Sequence, residues 1–424
     1  MSDSIPYPSS DDPKILISGA GIAGTVFAFW ILRAYPFAQI TLVEQAPTLR
    51  LTGASVDLRG SAVDIIKRMG LEEAIRAHTS KETGVQCVNA DGSVSWQLAR
   101  SGREDMQSLT SEYEIFRGAL AKIFVEPVEE KVTLICGESV ASFVQHADGV
   151  EVEFANSKAP ETYDLLVASD GLGSKIRGQM LQTPPRDQIL DKGCHVAYFS
   201  IPVDLLEGGQ MAKWYNAPRG RVIFLRPDAT PGHTRAHLVN VTTPSEADLR
   251  KRLNEGLEQG HEAYKTMLED LFKDAGWLAP EVLKGMRESN DFYCSLFAQT
   301  RAPQLCKRRV VLLGDAGYAT PGIGTSLAVV GGYVLAGEIL RHDGDVVEGC
   351  KAYEELMLPH VREQQKGGDA MQRLNPQTEW GISVRNTFMR VTTGLMLDRL
   401  VMQASAWLGI TEKKLAMPEY LWPK

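Results

Sequence analysis

The stretch that decides the fold is Pro13–Gln45, PKILISGAGIAGTVFAFWILRAYPFAQITLVEQ. Lys14 to Ser18 reads as a short buried strand, Gly24 to Tyr35 as a helix and Gln39 to Val43 as a second strand. A strand, helix and strand in that order require a crossover, and a crossover of this length requires a parallel sheet. Gly19, Ala20, Gly21 and Gly24 place a GxGxxG pattern at the strand-to-helix junction. There the first glycine permits a tight turn, the second lets a pyrophosphate approach the backbone, and the third lets helix and sheet pack closely. The unpaired amides and dipole of the helix N-terminus then favour the phosphate charge. Glu44, about 20 residues on and followed by Gln45, ends the second strand, where a carboxylate accepts hydrogen bonds from ribose hydroxyls and repels a phosphate on them. The stretch predicts dinucleotide binding over a bare glycine turn, and by itself it fits FAD and NAD equally.

Outward from that opening, Asp164 to Ser169 and Val310 to Leu313 read as further buried strands, each delivering an acid to a glycine-rich loop. The first loop holds Asp170 and Gly171, a pair that in isolation is an ordinary turn. The second, Gly314 to Ser326 (GDAGYATPGIGTS), holds Asp315, Pro321, Gly322 and Gly324 ahead of a helix of small residues. Asp315 is placed to bind a ribose or ribityl hydroxyl, and the amides around Gly324, Thr325 and Ser326 to face an electron-rich ring edge. Val132 to Phe154 alternates polar and apolar residues with a turn at Asp148 and Gly149, predicting antiparallel strands. Cys194 to Val241 is strand-like and aromatic, predicting a separate antiparallel sheet, and residues from Gly367 onward are helical in pattern.

The expected architecture is therefore α/β. A Rossmann-like FAD-binding domain with a parallel sheet (12–80, 105–190 and 290–360) is interleaved with a mostly antiparallel β-sheet substrate domain (81–104 and 191–289), and C-terminal helices follow (361–424). A formal net charge of -8, from 45 basic and 53 acidic residues, offers no field for nucleic acid or an anionic membrane. The run Gly322 to Leu340 approaches membrane-spanning length, but its glycines and Glu338 make it a buried helix. Six scattered cysteines, without metal-binding spacing, read as reduced thiols. With no basic and apolar leader ahead of the first strand, a cytoplasmic protein is expected.

Taken in order, GAGIAG (Gly19 to Gly24), SDGLGSKIR (Ser169 to Arg177) and GDAGYATPG (Gly314 to Gly322) resemble the three fingerprints of class A flavoprotein monooxygenases, the para-hydroxybenzoate hydroxylase fold. LRGSAVDIIKRMGLEEAI (Leu58 to Ile75) and SEYEIFRGALAKIF (Ser111 to Phe124) extend the likeness. It is nearest to the branch of tetracycline-inactivating and secondary-metabolite hydroxylases. The resemblance implies that Gly19, Gly21, Gly24 and Glu44 hold the AMP half of FAD, that Arg117 contacts the flavin nucleotide, and that Asp315 holds its ribityl and pyrophosphate region. It also implies that Asp57 and Arg59 lie near the isoalloxazine, and that Asp170 and Gly171 serve FAD and a transient NADPH or NADH. The loop ATPGIGTS is more compact than the family's usual two-proline version.

The implied reaction inserts one oxygen atom from O2 through a C4a-hydroperoxyflavin into a small organic substrate, by a monomer or weak dimer. No metal and no nucleophilic triad is called for, and neither a GxSxG elbow nor HExxH occurs. Tyr198, Trp214, Tyr215, Phe224 and His237 are the candidate substrate contacts, because flat substrates bind to aromatic faces with a few polar anchors. Other uses of the same scaffold are a halogenase, a reductase, a flavin carrier without turnover, or a plain NAD-dependent dehydrogenase. A stretch with helical spacing, Thr393 to Ile410, is expected to pack as a surface helix.

Overall fold

The computed structural model describes residues 12–49, 55–79, 82–99, 113–156, 159–367, 371–372, 375–394 and 416–423. The opening forms as its sequence predicts, with β1 (Lys14–Ser18), α1 (Ile22–Ala34) and β2 (Gln39–Glu44). There follow β3 (Ser55–Asp57), α2 (Ser61–Met69), α3 (Glu72–Ala77), β4 (Gly84–Val88), β5 (Val94–Ala99), β6 (Glu114–Phe116) and α4 (Arg117–Val125). Next come β7 (Thr133–Cys136), β8 (Val140–Gln145), β9 (Val150–Phe154), β10 (Glu161–Tyr163), β11 (Leu165–Ala168) and α5 (Lys175–Leu181). The long strands β12 (Ile189–Ile201), β13 (Met211–Ala217), β14 (Arg221–Pro227) and β15 (Thr234–Val241) lead to α6 (Ala247–Gln259), α7 (His261–Phe272) and α8 (Ala279–Glu288). The chain then runs through β16 (Tyr293–Thr300), β17 (Cys306–Lys307), β18 (Val310–Leu312), α9 (Asp315–Tyr318), α10 (Gly324–Arg341) and α11 (Val346–Gln364), and a last described helix spans Glu379–Gly394.

Two large sheets organise these elements. The first has the order β17-β18-β11-β1-β2-β7 and is parallel apart from the short β17 edge. β1 is apolar on both faces because helices cover both. α1 and α10 pack against each other so closely that a Cβ on Gly332 would lie 2.9 Å from the Phe27 nitrogen. α10, apolar on nearly every side, is thereby a buried element, and among the described residues no helix is long and apolar enough to cross a membrane. The second sheet, β16-β12-β15-β14-β13-β4-β5, is antiparallel except between β13 and β4. One of its faces packs on α6 to α8 through Phe199, Tyr215, Leu253, Tyr264 and Phe272.

Two expectations need correction. Val132 to Phe154 is not one antiparallel unit: β7 pairs parallel with β2 as the edge of the first sheet, and only β8 and β9 form the hairpin turning at Asp148 and Gly149. Polar and apolar alternation reports a half-exposed strand, and an edge strand of a parallel sheet is half-exposed too. The boundary expected at residue 290 is also misplaced, because β16 pairs with β12 and completes the antiparallel sheet. The stretch 393–410 lies outside the described residues apart from its first two.

Candidate active site

The three glycine-and-acid loops meet at the C-terminal ends of β1, β11 and β18. Gly19 has φ +109° and donates to Val43 O at 2.7 Å; a Cβ on it would sit 2.3 Å from Ser169 O. On Gly24 a Cβ would sit 2.3 Å from Gly19 O, whereas on Gly21 it would meet no atom within 4 Å. The first and third glycines are thus fixed by the protein's own packing, while the second borders open space at the start of α1. Glu44 accepts from the backbone nitrogens of Ala20 (3.2 Å) and Ala46 (2.9 Å), which fixes its carboxylate beside the turn. Gln45 is exposed.

Sequence reasoning does not single out the groups that bind these loops together. Ser169 Oγ donates to Ser18 O (2.9 Å) and Gly19 O (2.8 Å), joining the Asp170 loop to the first turn. Arg177, with no exposed surface, donates to Leu172 O (2.8 Å), Pro185 O (2.6 Å) and Ala316 O (2.8 Å), joining it to the Asp315 loop. In the sequence Ser169 and Arg177 stand only as the two ends of the SDGLGSKIR motif, and the backbone carbonyls that Arg177 binds are encoded by no pattern. Asp170 Oδ1 is buried without a hydrogen-bond partner, and burial pushes its carboxyl up despite Ser174 and Arg177 nearby. Burial likewise raises Asp315, opposed by the charge of Arg117. Gly171 has φ +80°, and Gly314, at φ +63°, turns the chain against Ala23 at the first loop.

The N-terminus of α10 completes the cradle. Pro321, Gly324 and Thr325 are half-buried and Gly322 is exposed. No side chain caps this 18-residue helix, so its first amides and its dipole are free to act on an anion. Ser326 Oγ accepts from the Arg59 nitrogen at 3.0 Å, which seats the Asp57–Arg59 ion pair (2.7 Å) against the helix. The open space above Gly21, the unpartnered Asp170 oxygen and the free helix end fit a long anionic nucleotide with polar hydroxyls.

The opposite face of the antiparallel sheet gathers Tyr198, Trp214 and Phe224 with Tyr293, Phe297 and Met371. His237 lies among them, its ring 4.8 Å from that of Tyr198 and 5.5 Å from Phe224, and Phe224 is 5.1 Å from Trp214. Burial, with Arg226 and Arg235 beside it, holds the His237 imidazole well below its ordinary range, and its Nε2 is buried without a partner. Tyr215 does not belong to this group. Its ring packs on Trp277 in the other core and its hydroxyl donates to Ala275 O at 2.7 Å. Neighbours on a strand point to opposite faces, so Trp214 and Tyr215 cannot share one surface. Burial raises both the Asp315 carboxyl in the cradle and the Tyr198 phenol on the sheet, and the charge of Arg117 opposes the rise at each.

A model of the FAD binding domain family matches residues 12–329, and the chain belongs to that family. The chain is 32% identical to "Monooxygenase CTB7" of Cercospora beticola over 97% of its own length and 98% of the relative's. It is 29% identical to "FAD-dependent monooxygenase asL4" of Sarocladium schorii, over 91% of its own length and 93% of that protein's. Among solved structures, the tetracycline destructase Tet(51) superposes with a TM-score of 0.77 at 27% identity, covering 96% of this chain and all of that one. Fold, cofactor and relatives together make this chain an FAD-dependent monooxygenase of the class A type.

Proposed function

We propose that the enzyme inserts one oxygen atom from O2 into a small, electron-rich aromatic or polyketide-like molecule, with NADPH or NADH as transient electron donor, and that the substrate lies on the aromatic face of the antiparallel sheet. The observation that carries this reading is the link between a nucleotide cradle and a buried aromatic surface: Arg59 is held by Ser326 of the cradle, its partner Asp57 lies opposite Glu114, and Glu114 pairs with Arg226, whose guanidinium lies over the Phe224 ring at 5.3 Å. The likeness to a tetracycline destructase agrees with a polycyclic substrate.

Bound FAD supplies the redox and oxygen-activating chemistry. Glu44 and the turn from Gly19 to Gly24 would hold its adenosine and pyrophosphate, Arg117, Asp170, Gly171 and Asp315 its central part, and the amides at Gly324 to Ser326 the ring edge where negative charge develops. Asp57, Arg59 and Pro321 would border the ring. Tyr198, Trp214 and Phe224 would exclude water and stack on the substrate, while neutral His237 would offer Nε2 to a substrate hydroxyl.

The test is turnover of the flavin-loaded protein with NADPH against a panel of phenols and polyketides under ¹⁸O2. A substrate that accelerates NADPH oxidation and leaves with a single labelled oxygen atom supports the reading. NADPH oxidation indifferent to every substrate, or product carrying oxygen only from water, contradicts it.

A further inference from the structure

Five charged side chains lie between the cradle and the antiparallel sheet. Arg226 on β14 has its Nε and Nη2 each 2.8 Å from Glu82 Oε2, and its Nη1 is paired with Glu114 on β6. Glu114 is the direct register partner of Asp57 on β3, and Asp57 is paired with Arg59. Glu82 is 2% exposed, Arg226 6%, and Arg59 and Glu114 7% each, so these four are closed to water and the half-buried Asp57 is the member with an exposed edge. Three carboxylates face two guanidiniums. Arg235, the register partner of Arg226 on β15, is taken up by Asp228 and Asp291, and burial keeps His237 neutral. Among the described residues the cluster therefore carries one negative charge in excess, and a buried uncompensated charge is relieved most easily by binding a proton. Two oxygens are free to carry it, because Glu82 Oε1 and Asp57 Oδ1 are both buried without a hydrogen-bond partner.

We infer that this cluster holds one exchangeable proton at neutral pH, shared between Asp57 and Glu82 across the Arg226–Glu114 pair, and that Asp57, at the α10 end, delivers it during turnover. Burial raises the carboxyl of each, reinforced by Glu114 and resisted by Arg59 and Arg226 at Asp57 and by Arg226 at Glu82. The inference rests on the oxygenation proposed above. That reaction converts NAD(P)H, one proton, O2 and substrate into NAD(P)+, water and oxygenated substrate. Asp57 gives up its proton and becomes a carboxylate, and a solvent proton restores the acid before the next cycle. Glu82 and Arg226 are positioning residues, setting how readily Asp57 holds that proton.

The test uses the full-length protein at pH 7, comparing infrared difference spectra of wild type against Asp57→Asn and against Glu82→Gln. Either amide removes the excess charge, so each single variant is expected to abolish the carbonyl stretch of the same undissociated carboxylic acid. Retained FAD and unchanged near-UV circular dichroism establish that each variant is folded. In turnover, Glu82→Gln is expected to move the alkaline limb of the kcat profile to lower pH, with kcat above that limb falling about tenfold for every pH unit the limb moves and substrate KM staying within about twofold. No lost band in either variant, or an unmoved limb, overturns the inference. The infrared result requires no substrate, so failure of the oxygenation reading alone would leave the band difference standing.

Discussion

The cradle and the aromatic face are made by different means. In the cradle the ligand is to be met by backbone: amides at two helix starts, turns that only glycine tolerates, and acids at strand ends. On the aromatic face it is to be met by side chains whose direction depends on strand register and on what covers the sheet. A backbone-built site writes its geometry into the residue types, because a Cβ at Gly19 or Gly24 has nowhere to go. A side-chain site is written only as a parity, and one residue's slip turns each contact to the opposite core.

The sharpest way to break this contrast is to add a Cβ within the first turn. Gly24→Val drives side-chain atoms into Gly19 O and should cost about 3 kcal/mol or more, abolishing folding or FAD retention. A Cβ at Gly21 meets no protein atom within 4 Å and Gly21 has an ordinary extended backbone (φ -80°), so in Gly21→Val stability should be little changed while FAD affinity falls at least about tenfold. Thermal melts of the flavin-free proteins and flavin titrations separate the two, and equal destabilisation would show that Gly21 serves packing instead of a ligand.

Next in size is Arg177→Met, which strands three carbonyls and unlinks the Asp170 and Asp315 loops; we expect a loss of about 2–4 kcal/mol in urea unfolding, with weakened FAD binding. A substitution pair then tests the two sheet faces. Phe224→Ala should raise substrate KM by about tenfold, while Tyr215→Phe should cost about 1 kcal/mol of stability by losing its bond to Ala275 and leave KM unchanged. A KM change in Tyr215→Phe would mean that the helix-side core reaches the substrate.

The smallest effect is in pH. His237 is held neutral in the fold, its folded pKa lying below the unfolded value of about 6.5. Its contribution is thus fully present above about pH 6.5 and is lost as pH falls towards the folded pKa, by about 1.4 kcal/mol for each pH unit. Urea unfolding at about pH 7 and about pH 5.5 should show a shallower acid loss in His237→Gln than in wild type, and equal losses would indicate that His237 is already charged or solvated.

Much of this is legible in the sequence alone. The βαβ opening and the buried character of α10 follow from glycine spacing and apolar runs, and the meeting of three acid-bearing loops from the resemblance of their motifs to the class A fingerprints. What stays hidden depends on contacts remote in sequence. Arg177 acts through carbonyls of Leu172, Pro185 and Ala316; Arg226 finds Glu82 and Glu114 only because β14, β6 and the approach to β4 converge. β7 and β16 escape a sequence reading because alternation marks exposure and not partnership. Tyr215 is a different kind of miss, since strand parity against Trp214 already contains the answer.

The most direct test is a crystal structure of the flavin-loaded enzyme. We predict a single FAD with its adenosine ribose at Glu44, its pyrophosphate over Gly21, its ribityl chain at Asp315 and its ring between the α10 N-terminus and Phe224. An FAD that leaves Gly21 or Asp315 untouched, or turns its ring away from the aromatic face, would contradict the account.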